Sequence, residues 1–165
     1  MLHKVNIGGM AIDPGTNTPI IILKLEEDDR AVPIWIGLLE AISIVSALQN
    51  ISFDRPMTHD LCKNFMDVLN VIVTKVEVCD LKDNTYYAKI YCTSEDNKFT
   101  LDARPSDAIA MALRFNASIY VDDIIIEKAH AIGKDVEVMD KSEEGKKWAD
   151  YLNKLSPDDF GKYKV

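Results

Sequence analysis

No stretch of this 165-residue chain approaches the roughly 18 to 20 consecutive apolar residues that a membrane-spanning helix needs. Met1-Leu2-His3-Lys4 leads straight into a strand-like segment, without the apolar core of a signal peptide. The expectation is a cytoplasmic protein with no membrane association. Cysteine is equally sparse: Cys62, Cys79 and Cys92 are an odd, widely spaced set with no CxxC pair, which excludes a disulfide framework and a zinc site and reads as three buried, reduced thiols. Positive charge is in deficit, with 19 Lys and Arg against 27 Asp and Glu and a net charge of −8. A general nucleic-acid binder usually carries a basic stripe that neutralises phosphates, and none is visible. Any phosphate chemistry must therefore rest on local arginines or bridging metal ions set against an unfavourable overall field. GxxxxGK[ST], GxGxxG, HExxH, GxSxG and the EF-hand loop are all missing, which disfavours several large enzyme classes.

What is present is an ordinary globular composition, 47% hydrophobic and 28% charged, enough for one core with a short appendage. Segments 4–12, 18–26 and 31–36 are rich in β-branched and aromatic residues, and Asp13-Pro14-Gly15 and Glu27-Asp28-Asp29-Arg30 separate them like turns. Gly37 then opens a helix over 38–49, with Leu38, Ala41, Ile42, Val45 and Leu48 at helical spacing. The same order returns as strands over 71–80, 84–93 and 98–103 and a helix over 105–115, with Pro105 suited to the first helical position. At a constant shift of 67, Asp13, Asn17, Thr18, Asp29, Ala41 and Ile42 meet identical residues at 80, 84, 85, 96, 108 and 109. The expected fold is therefore α+β, made of two duplicated βββα units, about 3–50 and 70–117, forming a mixed or antiparallel sheet with packed helices.

Between the units, Thr58 stands as N-cap of a linking helix over 58–70, with Leu61, Phe65, Val68 and Leu69 on one face. A short strand over 118–122 and an apolar, helix-like segment over 124–131 close a domain spanning 1–131. Residues 132–165 read as a linker and a C-terminal docking helix, capped by Ser142 and presenting Trp148, Leu152 and Leu155 on one face.

Charged residues cluster where helices begin: Glu40; Arg55 with His59 and Asp60; Asp102 with Arg104 and Asp107. Free N–H groups at a helix start attract phosphate oxygens, and an arginine beside them adds a bidentate contact, so Arg55 and Arg104 are the natural phosphate clamps. Asp60, Asp102 and Asp107 are candidate ligands for Mg2+ or Mn2+, which prefer oxygen donors. His59 suits a general acid or base, or a metal ligand. The same residues also admit structural roles. Glu40 and Asp107 each fall near the third helical position, where a carboxylate reaches back to the cap N–H, and Arg104 can pair with Asp102 or Asp107. In Phe99-Thr100-Leu101-Asp102-Ala103 strict alternation sends Asp102 to the face opposite Phe99, Leu101 and Ala103. Tyr86, Tyr87 and Tyr91 read as sheet packing.

Three stretches, Pro33-Ile34-Trp35-Ile36-Gly37 with Glu40-Ala41, Arg55-Pro56-Met57-Thr58-His59-Asp60-Leu61, and Asp102-Ala103-Arg104-Pro105-Ser106-Asp107-Ala108-Ile109-Ala110, resemble the signature stretches of the bifunctional nuclease family over about residues 3 to 131. The resemblance implies a metal-assisted nuclease that hydrolyses phosphodiester bonds of DNA or RNA with Mg2+ or Mn2+. It carries over His59, Asp60, Asp102 and Asp107 as catalytic residues, and Arg55, Arg104 and Ser106 as phosphate-binding ones. Asp60, Asp102, Asp107 and, more weakly, Glu40 are carried over as metal ligands. Nucleic acid is the expected partner, with a homo-oligomer of two or more subunits. The alternative is a non-catalytic oligomeric module binding an anionic ligand or a protein through the same helix starts.

Overall fold

The computed structural model describes residues 1–95 and 97–133, so the expected linker and docking helix lie outside the described residues. The chain runs β1 (Leu2–Asp13), β2 (Thr18–Leu25), β3 (Ala31–Trp35), α1 (Leu38–Leu48), α2 (Thr58–Val68), β4 (Val71–Lys82), β5 (Thr85–Ser94), β6 (Asn97–Ala103), α3 (Pro105–Phe115), β7 (Ser118–Asp122) and α4 (Asp123–Gly133). This is a mixed α+β fold, and β1, β2, β3 and α1 recur in order as β4, β5, β6 and α3. The turns obey the residues that form them. Asn17 at φ 56° closes the first hairpin, where Asp13 Oδ1 accepts from the Gly15 N–H at 2.8 Å. Asp83 and Asn84, at φ 48° and 57°, make the two-residue β4–β5 turn, whose left-handed positions suit Asp and Asn.

One sheet of seven strands has the order β3-β2-β1-β7-β4-β5-β6, antiparallel throughout except for the parallel β7–β4 pair. Two three-stranded meanders thus flank β7, and β1 never pairs with β4. Strands pack about 4.8 Å apart, which would put β3 and β5, five spacings apart, about 24 Å from each other in a flat sheet. Yet the Tyr86 hydroxyl on β5 donates to the Pro33 carbonyl on β3 at 3.2 Å. The sheet is therefore rolled. One continuous core fills it, joining Ile21, Leu23, Val32 and Ile34 from the first meander to Val76, Val78 and Ala88 from the second. Ile44 of α1, Ile109 of α3 and Ile125 of α4 complete it, all fully buried. Each such side chain contributes roughly 1.5–3 kcal/mol relative to exposure.

Several expectations are corrected. Met57, not Thr58, is the N-cap of α2, because Asp60 at the third helical position accepts from the Met57 N–H at 3.1 Å. The face carrying Leu61, Phe65, Val68 and Leu69 points outward, with Phe65 63% and Val68 79% exposed, while Met66 is the buried contact. Helical periodicity identifies the apolar stripe; packing of α2 on α3 and β4 decides which side turns inward. Of the cysteines only Cys92, on β5, is buried; Cys79 on β4 is half-buried and Cys62 on α2 is exposed. In β6 the expected alternation is not expressed as burial: Phe99 and Leu101 are exposed as well as Asp102, since β6 ends the sheet.

His3 ties the N-terminal strand to the start of α4 and to the segment between β2 and β3. It is buried, with Nε2 2.5 Å from Asp123 Oδ1 and Nδ1 3.3 Å from Glu27 Oε2. The Asp123 hydrogen bond outweighs desolvation and, with Glu27, raises the imidazole above its ordinary value of 6.5. A raised folded-state value means that the folded state prefers the proton. The contribution to stability is therefore complete below 6.5 and is lost as pH rises through the folded value. The Tm advantage of wild type over His3→Gln is expected to shrink as pH is raised from about 6 to about 9, read by circular dichroism melts.

Candidate active site

Three helix starts supply the site. Gly37 caps α1, which carries Glu40 in its first turn and Ser43 one turn on; His59 lies in the first turn of α2; Arg104 caps α3, with Pro105 first and Asp107 third. Pro105 enters the helix without cost because the N–H it lacks would have no helical acceptor. A Cβ at Gly37 would meet the Glu40 carboxylate, which would have to shift from its place beside Arg104.

His59 sits at the centre. Its Nε2 is 3.0 Å from Asp107 Oδ1 and its Nδ1 is 2.8 Å from Ser43 Oγ. Arg104 clamps the same carboxylate, Nε to Asp107 Oδ2 at 2.6 Å and Nη2 to Oδ1 at 3.0 Å, and Nη2 also lies 2.7 Å from Glu40 Oε1. Burial alone would push the Asp107 carboxyl up; the hydrogen bonds from Arg104 and His59 outweigh it and hold the group below the ordinary aspartate value. Asp107 is therefore an anion, and in the tautomer that carries its hydrogen on Nε2 the imidazole donates to it and offers the Nδ1 lone pair to the Ser43 hydroxyl. The Arg104 side chain stays 66% exposed while His59 is 16% exposed. Neither Glu40 nor Asp107 bonds its own cap N–H among the described residues, so the structural role expected of them falls to Asp60 instead.

Two cavities meet at Arg104. One of about 250 Å3 is lined by Ser43, His59, Asp107 and Arg104 with apolar walls from Leu39, Ile42, Phe53 and Met57. The other, about 750 Å3, lies inside the roll between Trp35, Tyr86, Gly37, Asn84, Arg104 and Ser106. Ser106 is 5% exposed, and its hydroxyl has no hydrogen bond to another described residue. Trp35 is held by an Nε1–H donated to Asp13 Oδ2 at 2.9 Å.

Not every expected residue arrives. Asp60 accepts from Arg114 Nε at 2.7 Å and is outside both cavities. Asp102 stands exposed on β6, opposite Lys89 in register. Arg55 is exposed in the segment before α2, with no ion pair among the described residues. These carboxylates do not fit a metal centre: Glu40, Asp60 and Asp107 are each engaged by a guanidinium, and among the described residues no three His, Cys, Asp or Glu side chains gather as ligands. Sequence reasoning missed Ser43 and Arg114. Ser43 lies three residues after Glu40 and so on the same face, a signal hidden in an apolar helix. Arg114, in the last turn of α3, looks like a dipole partner; in fact it also reaches the Ser43 carbonyl at 3.4 Å and that of Ala110 at 3.0 Å.

A rolled α+β sheet thus brings a histidine, its carboxylate partner and an exposed arginine together at converging helix starts. The chain belongs to the bifunctional nuclease domain family, which it matches over residues 21–133. An uncharacterized protein of Mycobacterium tuberculosis is 32% identical over 164 residues, covering 96% of this chain and 98% of that protein. Bifunctional nuclease 1 of Oryza sativa subsp. indica is 30% identical over 106 residues, 62% of this chain but 32% of the plant protein. Bifunctional nuclease 1 of Arabidopsis thaliana is 28% identical over 108 residues, again spanning about a third of that protein, 33%.

Proposed function

We propose that this chain hydrolyses phosphodiester bonds of DNA or RNA, with His59 as general acid and base, Asp107 as its orienting anion and Arg104 as the phosphate clamp. The observation that carries the reading is the exposed Arg104 guanidinium joined, through Asp107, to the His59 imidazole at the meeting point of two cavities. Family membership and the nuclease name of the plant relatives, of which the chain spans about a third, support the substrate class. Ser106 and the free N–H groups of the α3 start suit the same phosphate. The larger cavity is of small-ligand size, which suits a nucleotide of a single strand better than a duplex. Because guanidinium groups engage Glu40, Asp60 and Asp107, each role named above falls to a side chain.

The test is cleavage of labelled single-stranded and duplex DNA and RNA, in EDTA and in added Mg2+ or Mn2+. Single strands should be cut faster than duplex, and Arg104→Ala should raise KM by about 10-fold or more, the scale of one charge-assisted contact. Because few cations meet the strand, the apparent affinity should fall with salt at a slope of only about −0.7 for each phosphate contacted. A purified protein inert on all four substrates with and without metal ions would leave the anion-binding module as the better reading.

A further inference from the structure

We propose that Ser43 is a covalent nucleophile, activated by His59 and Asp107, and that the site works through a phosphoseryl intermediate. The inference deepens the nuclease reading and takes only its substrate from it. Its ground is occupancy of the base: the Ser43 hydroxyl lies 2.8 Å from Nδ1, the one imidazole nitrogen left free by Asp107. A water molecule would have to displace that hydroxyl to be deprotonated there. The oxygen already in position is Ser43 Oγ, open to the same cavity as Arg104. Leu39, Ile42, Phe53 and Met57 give that cavity apolar walls beside the hydroxyl. The constellation is a hydroxyl, an imidazole and a carboxylate in hydrogen-bonded series, the arrangement by which a weak nucleophile is activated on unrelated folds. Here it is assembled from three helices, with no GxSxG elbow, and with the two imidazole nitrogens in exchanged roles.

The chemistry closes. Ser43 Oγ attacks phosphorus while its proton passes to Nδ1; the Oγ–P bond forms and the P–O bond to the leaving nucleoside breaks, that oxygen taking the proton from the imidazolium. Water then attacks phosphorus and gives a proton to His59, the P–Oγ bond breaks, and Ser43 recovers its hydrogen. The sum is a phosphodiester and water giving a phosphomonoester and an alcohol. Arg104 stabilises charge on the non-bridging oxygens in both halves.

Diisopropyl fluorophosphate, which phosphorylates activated serines with loss of fluoride, tests the nucleophile without any nucleic acid. Intact-mass analysis and peptide mapping should find one adduct on Ser43 of the wild-type chain, none on Ser43→Ala, and labelling at least tenfold slower in His59→Ala and Asp107→Asn. Acid quenching of a reaction with a phosphorus-labelled strand should leave label on Ser43. Absence of an adduct in folded wild type, an adduct confined to Ser46 or Ser106, or wild-type cleavage rates in Ser43→Ala would each overturn the proposal. An adduct on Ser43 in a protein that cuts no nucleic acid would instead keep the nucleophile and remove the nuclease reading.

Discussion

Replacing His59 by alanine is expected to reduce kcat for phosphodiester cleavage by about 10²- to 10⁴-fold, the range a positioned acid–base group supplies. KM should change little, because the exposed cation that meets the phosphate, Arg104, keeps its bidentate contact to Asp107. Asp107→Asn should fall in the same range by another route. An amide can turn its N–H2 toward Nε2, which then accepts, so that Nδ1 carries the hydrogen and can no longer take one from Ser43. Steady-state kinetics on a single-stranded substrate, with circular dichroism to confirm folding, distinguishes these losses from instability. The pH profile offers a further check. Asp107 is held below its ordinary value of 3.8, so the step that needs its anion persists as pH falls to that point and fails only below it. A profile that lost activity with a carboxylate titrating well above 3.8 would place the essential acid elsewhere.

The second large effect is on stability. Arg114→Leu should cost about 2 kcal/mol, since it removes a charge-assisted bond from a half-buried pair and leaves Asp60 to partial solvation. The Arg114 side chain is 7% exposed and Asp60 33%. Asp60→Asn alone should cost less, and the double variant should recover part of the loss, a coupling of about 1–2 kcal/mol measurable by a double-mutant cycle in urea. Arg114 also holds the carbonyl of Ser43, so its loss loosens α1, α2 and α3 together. Cleavage should therefore drop in Arg114→Leu even at temperatures where the chain remains folded. Urea midpoints unchanged from wild type would show that the pair contributes nothing net.

Local chemistry was readable in the sequence and long-range geometry was not. Pro105 at a first helical position and Asn116 in the left-handed conformation bracket α3 where periodicity places it. Asn17 and Asn84 occupy the left-handed turn positions expected of them. The βββα order also came through. The insertion of β7 between β1 and β4 did not, because pairing between strands more than 100 residues apart leaves no trace in local patterning. The same limit applies to the site. His59, Arg104, Asp107 and Glu40 were recognisable as residue types at helix starts, and Ser106 through the family resemblance, yet the hydrogen bond from His59 to a partner 48 residues away is a product of packing α2 on α3. Asp102 drew attention through an alternation that a terminal strand does not express, and Ser43 drew none because hydroxyls are common on helices.

The placement of β7 between the two meanders has a consequence for biosynthesis. A ribosome delivers both meanders and all of α3 before it delivers Ser118–Asp122, the segment that pairs with β1 on one side and β4 on the other. Until that segment emerges, the nascent chain holds two half-sheets, each with an inner border of unpaired N–H and C=O groups. Such borders are templates for pairing with other chains. Closure of the roll is thus a late event in synthesis, and the interval before residue 122 is where a growing copy is most exposed to association with its neighbours or to capture by a chaperone.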